Sequence, residues 1–377
     1  MSFKENRGVM DRTINQKYAD LLVNYCLALK KGDKFLIRGT CLAEELLNEV
    51  YVAALKAGAH PEFQISLNGS TRLFYEHASE EQLRYVSPLN RHATENFDAL
   101  LRVDAPFNMK ELQTIDPAKK QAVSIAATEL TKTFFRRAAQ DELRWSLCVF
   151  PGDAAAQECD FSLAEYRDFV YSACFLYEDD PIARWKMLHD DQQKAVDFLN
   201  NTSSIRFVGN DIDVSFCTEG RKWINCSGQN NMPDGEIFTG PVEDSINGKV
   251  RFSYPGFYMG QQIEDICLEI KAGEVVTWSA AKGKELLDKI FDIPGARRFG
   301  EVAIGTNHGV KKFTKNMLFD EKIGGTIHMA VGAGLPKSGA KNESAIHWDM
   351  LADMTNGGEI YADDELVYRD GRFLIGQ

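Results

Sequence analysis

The chain has 377 residues, 44% hydrophobic and 26% charged, which is ordinary globular composition at a length that suggests about two domains. Its formal net charge of −12 lacks the basic footprint that nucleic acid or an anionic membrane surface requires, so neither is an expected partner. No apolar run approaches a membrane span, and the opening MSFKENRGVMDRT carries no apolar signal core, so a soluble, cytoplasmic protein is expected.

Residues 11–31 set Ile14, Tyr18, Leu21, Leu22, Tyr25, Cys26 and Leu29 at three- and four-residue steps, the pattern of an amphipathic helix, with Gly32 as its stop. A strand is predicted at 34–38, a helix at 43–56, a strand at 62–67, a helix around 79–85 and a strand at 98–104. A helix over 117–140 and a strand over 144–150 follow. Helix and strand alternating at this spacing predict a parallel α/β sheet. Two more helical patterns, 163–177 and 182–199, are separated by Asp179, Asp180 and Pro181. Beyond residue 200 the runs become short and alternating (IRFVG, DIDVSF, KWINCS, KVRFSY, ICLEI, VVTWS), the pattern of an antiparallel sheet. Asn247-Gly248 reads as a hairpin turn within it, 280–291 as an intervening helix and 300–305 as a further strand. The expected architecture is an α/β N-terminal domain with a parallel sheet over residues 1–200. A mostly antiparallel β (α+β) C-terminal domain that binds metal follows over 201–377.

The eight cysteines are scattered, and no two have the two-residue gap of a zinc knuckle or redox motif. Cys26, Cys148 and Cys174 lie among apolar residues and are expected as buried, reduced thiols.

Residues 321–349 concentrate the chemistry. They hold two of the seven histidines, His328 and His347, with carboxylates at Glu321 and Asp349, the ligand types preferred by zinc and other borderline divalent ions. His347 and Asp349 are two apart, so on a strand both face one side and Trp348 the other. Upstream, Glu236 follows a Pro-Asp-Gly turn at the start of an apolar strand, and Glu301 begins a strand flanked by Gly300 and Gly305. Each residue alone has a plainer explanation: a strand-end Glu is usually solvated, and a lone His on an apolar face is usually a satisfied core residue. Several carboxylates buried together are prohibitive without a cation. Two histidines with several carboxylates could hold two divalent ions that share a bridging carboxylate, an arrangement suited to hydrolysis.

The strings MPDGEIFTGP, GEVAIGTN, NMLFDEKIGGTIHMAVGAG and NESAIHWDM resemble, in order, the metallopeptidase family of aminopeptidases T and S. The resemblance covers the C-terminal domain, and the N-terminal half fits that family's layout more loosely. It implies metal ligands at Glu236, Glu301, Glu321, His328, His347 and Asp349, with Glu301 bridging. It also implies two divalent ions (zinc, cobalt, manganese or magnesium) and release of N-terminal amino acids from peptide substrates by a homodimer. A carboxylate must accept the proton of the attacking water, and Glu236 and Glu301 are equal candidates for that catalytic role. No cofactor-binding motif besides the metal ligands is expected.

One position departs from the family pattern. Leu335 stands where the family commonly has a tyrosine, in Gly332-Ala-Gly-Leu335, and a leucine cannot donate to an oxyanion. A second reading is therefore a metal-binding relative with weak or lost peptidase activity, unless another donor substitutes; Lys337 and Tyr361 are close in sequence, with nothing further in the sequence to support them. A third is a nucleotide-binding α/β enzyme, but no glycine-rich turn follows the early strands, and the loop 332–341 fails the phosphate-binding pattern because no lysine directly follows its last glycine. His60, His77, His92 and His189 are expected to be structural or exposed, His308 a turn residue, and the pairs Arg136-Arg137 and Arg297-Arg298 solvated.

Overall fold

The computed structural model describes residues 14–375. The chain divides into two compact units: one runs to Ile182 and takes in Gly228–Pro233, and the other comprises Ala183–Ser227 and continues from Asp234.

The first unit is built on five parallel strands in the order His60–Ser66, Lys34–Thr40, Ala99–Asp104, Arg144–Val149 and Asn231–Met232. Helices connect them, as parallel neighbours require. Ala99 and Leu101 on the central strand, like Phe35 and Ile37 on Lys34–Thr40 beside it, are wholly buried. Leu36, Leu100, Ala93, Phe97 and Leu143 form a further apolar cluster in this unit. Cys26, Cys148 and Cys174 are buried and unbridged, as their apolar neighbours predict.

Three local departures have physical causes. The helix expected over 11–31, whose residues 11–13 lie outside those described, closes in a π turn at Leu22–Cys26, and Ala28 takes a left-handed conformation (φ 44°) that ends it early. The helix expected over 117–140 is two helices, Pro117–Ala126 and Thr128–Ala139. At the break Thr128 Oγ1 donates to Ser124 O at 3.3 Å, a side-chain bond that competes with the helical ladder. Arg137 is not solvated. It is buried and donates through Nη1 to the carbonyls of Thr94 (2.7 Å) and Phe97 (3.0 Å), which end a neighbouring helix (Pro88–Asn96).

The second unit is antiparallel. Eight strands run in the order Glu274–Ser279, Ile266–Lys271, Asn247–Phe252, Ile212–Cys217, Ser204–Gly209, Glu359–Ala362, Glu365–Arg369 and Arg372–Phe373. Asn247 and Gly248 lie inside a strand, not at a hairpin turn. Gly248 is paired with both Val214 and Ile270, and a Cβ there would stand 2.1 Å from Asp213 O, so glycine is needed for close strand approach. A second sheet has the order His347–Asp353, Thr326–Gly332, Phe299–Gly305, Glu236–Thr239 and Ile224–Cys226. One apolar cluster, including Phe207, Val214, Phe252 and Leu268 from the large sheet and Val302, Ile304, Ile327, Met329 and Met350 from the small one, joins the two. The parallel sheet followed by antiparallel sheets is the predicted fold class. Among the described residues no helix is long and apolar enough to cross a membrane.

Candidate metal centre

The small sheet sorts its residues by parity. Ile237, Val302, Ile304, Ile327, Met329, Val331, Trp348, Met350 and Ala352 enter the apolar cluster. The alternate positions face the other way and carry Glu236, Glu301, His328, His347 and Asp349. Register aligns Glu301, Ala330 and Asp349 in one row across three strands, Ala303 with His328, and Gly332 with His347. Ala330, Ala303 and Gly332 are small, which leaves room beside the functional side chains, while Leu351 across from His328 and Phe238 across from Ala303 are the bulky residues of this face.

Strict alternation alone would put Phe299 and Glu301 on the same face. The pairing shifts between them, a bulge centred on Gly300, so Phe299 joins the core while Glu301 turns to the polar side. Gly300 cannot carry a side chain, because a Cβ there would lie 2.1 Å from Ala333 O. Glu321 arrives from outside the sheet, as the C-terminal cap of the short helix Met317–Asp320.

These elements bring all six predicted side chains into one chain of contacts. His328 Nε2 lies 3.3 Å from both Glu301 Oε1 and Glu236 Oε2. His347 Nε2 is 3.5 Å from Glu301 Oε2 and 3.6 Å from Asp349 Oδ1. Glu236, Glu301 and His328 converge closely enough to hold one ion, and so do Glu321, His328 and Asp349. Glu301 thus spans the two imidazoles with its two oxygens. His347 Nδ1 donates to Ala333 O at 2.7 Å, which fixes the ring so that Nε2 faces the carboxylates.

Sequence reasoning missed three participants. Lys322, 1% exposed, contacts Glu236 Oε1 and lies 2.6 Å from Glu321 Oε1 and 3.6 Å from Asp234 Oδ1. Asp234, two residues before Glu236, is buried as well, and Cys226 is paired directly across from Glu236. Lys322 had a visible cue in following Glu321 directly, and Asp234 had one in its period-two spacing from Glu236. Cys226 had none.

Burial dominates the electrostatics. It pushes the Glu236 carboxyl up to about 8, against the pull of Lys322, and raises Glu301 as well. Burial opposes charge on the imidazoles, but their carboxylate neighbours outweigh it and raise His328 to about 9 and His347 to about 10. Burial also acts to raise Asp349, yet the His347 imidazole prevails and holds it below its usual range. Lys322 loses solvation, but Glu236, Glu321 and Asp234 more than restore its charge.

The donor set fits a divalent cation. Glu236 Oε2, Asp349 Oδ1 and His328 Nδ1 are buried without a hydrogen-bond partner, an arrangement costly in a native interior unless something else is bound. Of the five carboxylates (Asp234, Glu236, Glu301, Glu321, Asp349) three contact the Lys322 ammonium, and with the two imidazoles neutral, as metal ligation requires, the cluster has anionic charge to spare.

Other sequence candidates lie elsewhere or have other duties. Leu335 starts the 3-10 turn Pro336–Ser338, which also contains Lys337, and its carbonyl accepts from Ser338. Tyr361 belongs to the large sheet and donates to Glu359 at 2.6 Å. His189 Nδ1 is 2.8 Å from Ser227 Oγ, and the ring of His92 meets that of Phe97 edge-on. His308 packs against the backbone at Gly324, and burial lowers its pKa.

A carboxylate–histidine cluster on the polar face of an antiparallel sheet defines a metal-centre protein. The family model for thermophilic metalloproteases (M29) matches residues 12–373. The chain belongs to this metalloprotease family, whose reaction is hydrolysis of peptides. It is 29% identical to Aminopeptidase 2 of Geobacillus stearothermophilus, with 95% of this chain and 97% of the relative covered. Aminopeptidase AmpS of Bacillus subtilis is 25% identical over 95% of this chain and 98% of its own. Aminopeptidase T of Thermus thermophilus is 28% identical over 60% of each chain. The solved structure of wild-type AmpT from Thermus thermophilus superposes with a TM-score of 0.82 at 22% identity, covering 97% of this chain and all of that one, a likeness of fold.

Proposed function

We propose that the protein is a metal-dependent aminopeptidase that releases N-terminal amino acids from peptides, with Glu236, Glu301, Glu321, His328, His347 and Asp349 as metal ligands. The observation that carries the reading is the convergence of these six side chains, several with buried unpaired atoms, in a chain of a metalloprotease family. The names of its relatives add the preference for the peptide's first residue.

A bound divalent ion supplies Lewis acidity, lowering the pKa of water and polarising the scissile carbonyl. The chain's own residues do the rest. His347, oriented by Ala333 O, and His328, wedged between Glu236 and Glu301, supply neutral nitrogen donors. Glu301 offers one oxygen to each histidine's neighbourhood and would be the carboxylate shared between two ions. Glu236 is the better-placed proton acceptor of the two candidates: Lys322 holds its Oε1, while Oε2 has no hydrogen-bond partner. A free α-amino nitrogen could act as a further ligand to a bound ion, which an acylated terminus could not, and this favours peptides with an unblocked first residue.

The finer expectations are part of the same proposal: two ions drawn from zinc, cobalt, manganese or magnesium, a homodimer, and a cytoplasmic location. Two ions are supported by the six donors together, among which Glu301 directs one oxygen toward each histidine. Turnover of aminoacyl-p-nitroanilides and of free and N-acetylated peptides by chelated and metal-reloaded protein tests the reading. Restored cleavage of free peptides alone is expected. A protein that binds no divalent ion, or cleaves equally well without one, overturns it.

A further inference from the structure

Besides the two ligand sets already described, a third in the second unit converges to metal-binding distance: Cys226, Asp234 and Glu236. It differs from the others in bringing a thiol, and in already containing a cation. The Lys322 ammonium lies against Glu236 Oε1, with Asp234 Oδ1 at 3.6 Å and Glu321 Oε1 at 2.6 Å. An ammonium has three hydrogens and no acceptor, and here three carboxylates surround it. Its main chain is pinned, because Lys322 N donates to Phe319 O at 3.0 Å and Lys322 O accepts from Asn307 N at 3.0 Å, and its side chain is buried. A metal ion among Cys226, Asp234 and Glu236 would share one buried space with this positive charge.

The consequence concerns which metals the centre accepts. Thiolate ligands select soft ions, whereas imidazole and carboxylate leave the choice to borderline and hard ones. Glu236 lies between the two environments, with Oε1 toward Lys322 and Oε2 toward His328.

We propose that Lys322 is a specificity-determining residue of the metal centre: its ammonium occupies the Cys226–Asp234–Glu236 pocket as a resident cation, keeps metal ions and the Cys226 thiol apart, and confines the centre to nitrogen and oxygen ligands on the histidine side. The proposal rests on the metallo-aminopeptidase reading only for the identity of that histidine-side centre.

The test is cobalt titration of the full, metal-stripped chain, reading ions bound per chain and the near-ultraviolet charge-transfer band of a thiolate–cobalt bond. The wild-type protein is expected to show no thiolate band. Lys322→Met, of similar length and without charge, is expected to bind one ion more than wild type and to gain the band as the Cys226 thiol gives its proton to solvent. Adding Cys226→Ser to that variant is expected to abolish both gains. A thiolate band in the wild-type protein overturns the proposal, and so does a Lys322→Met protein of unchanged circular dichroism that gains neither ion nor band. Should Lys322→Met fail to fold, Cys226→Ser in the wild-type background decides: unchanged cobalt number and affinity uphold the proposal, and a lost ion overturns it. If the wild-type protein binds no cobalt at all, the metallo-aminopeptidase reading falls, while a new thiolate-bound ion in Lys322→Met still upholds the role of Lys322.

Discussion

Glu236 and the two histidines carry the sharpest expectations at the scale of single residues. Glu236→Gln removes a proton acceptor and weakens a ligand while preserving shape, so kcat is expected to fall by about 10²–10⁴-fold. Steady-state kinetics on metal-saturated protein checks this, and an unchanged kcat would remove Glu236 from the mechanism. His328 and His347 hold protons up to about 9 and about 10 when no ion is present. A ligating imidazole must be neutral, so metal uptake at pH 7 has to expel those protons. The sign follows: affinity for the ion weakens as pH falls and tightens as pH rises from 7 toward 9. Calorimetry in buffers of different ionisation enthalpy should show proton release on binding, and an affinity flat in pH would contradict the assignment. His328→Ala should weaken metal binding at least about 10²-fold, more than the loss of an outer-shell partner typically does.

At the scale of elements, the bulge at Gly300 decides on which face Glu301 appears. Gly300→Ala would drive a methyl into Ala333 O, whose neighbourhood also orients His347. The expected result is a loss of metal affinity larger than the loss of stability, read by metal titration beside denaturant unfolding. Equal retention of both would show that the bulge does not set the site. On the opposite face of the same sheet, Ile327 is fully buried in the apolar cluster and makes no contribution to the polar side. Ile327→Ala should cost about 2–5 kcal/mol in chemical denaturation with kcat little changed in the folded fraction. The strand at 300–305 and the strand spacing of His347 and Asp349 were legible in the sequence because period-two alternation survives in GEVAIG and HWDMLAD. The break at Thr128 and the in-strand Asn247-Gly248 were not. A one-residue interruption between two helices, and a glycine required by a neighbouring strand, leave no periodic trace.

For the whole molecule, a cluster of five carboxylates, three of them against one lysine and the others beside two histidines, implies that bound cations and folding are linked. Stripping the metal should lower the melting temperature. Restoring free ion to about 1,000 times its dissociation constant should return roughly 4 kcal/mol per site. Calorimetry with and without chelator measures the difference, and identical melting curves would show that the cluster is balanced without an ion.

Part of the candidate site could be read from sequence alone: residue chemistry singled out the histidines and carboxylates, strand period put His347 and Asp349 on one face, and the set of six proposed ligands came from the family resemblance. The change from parallel α/β to antiparallel texture could be read as well, because connection length and alternation are local properties. The tertiary structure alone decided what stands beside those ligands. Lys322, Asp234 and Cys226 gather around Glu236 through strand pairing and a loop brought in from 86 residues further along the chain, and Arg137 is buried because helix-end carbonyls meet it there. Burial of a charge depends on which distant carboxylates and carbonyls surround it, and that arrangement exists only once the chain has folded.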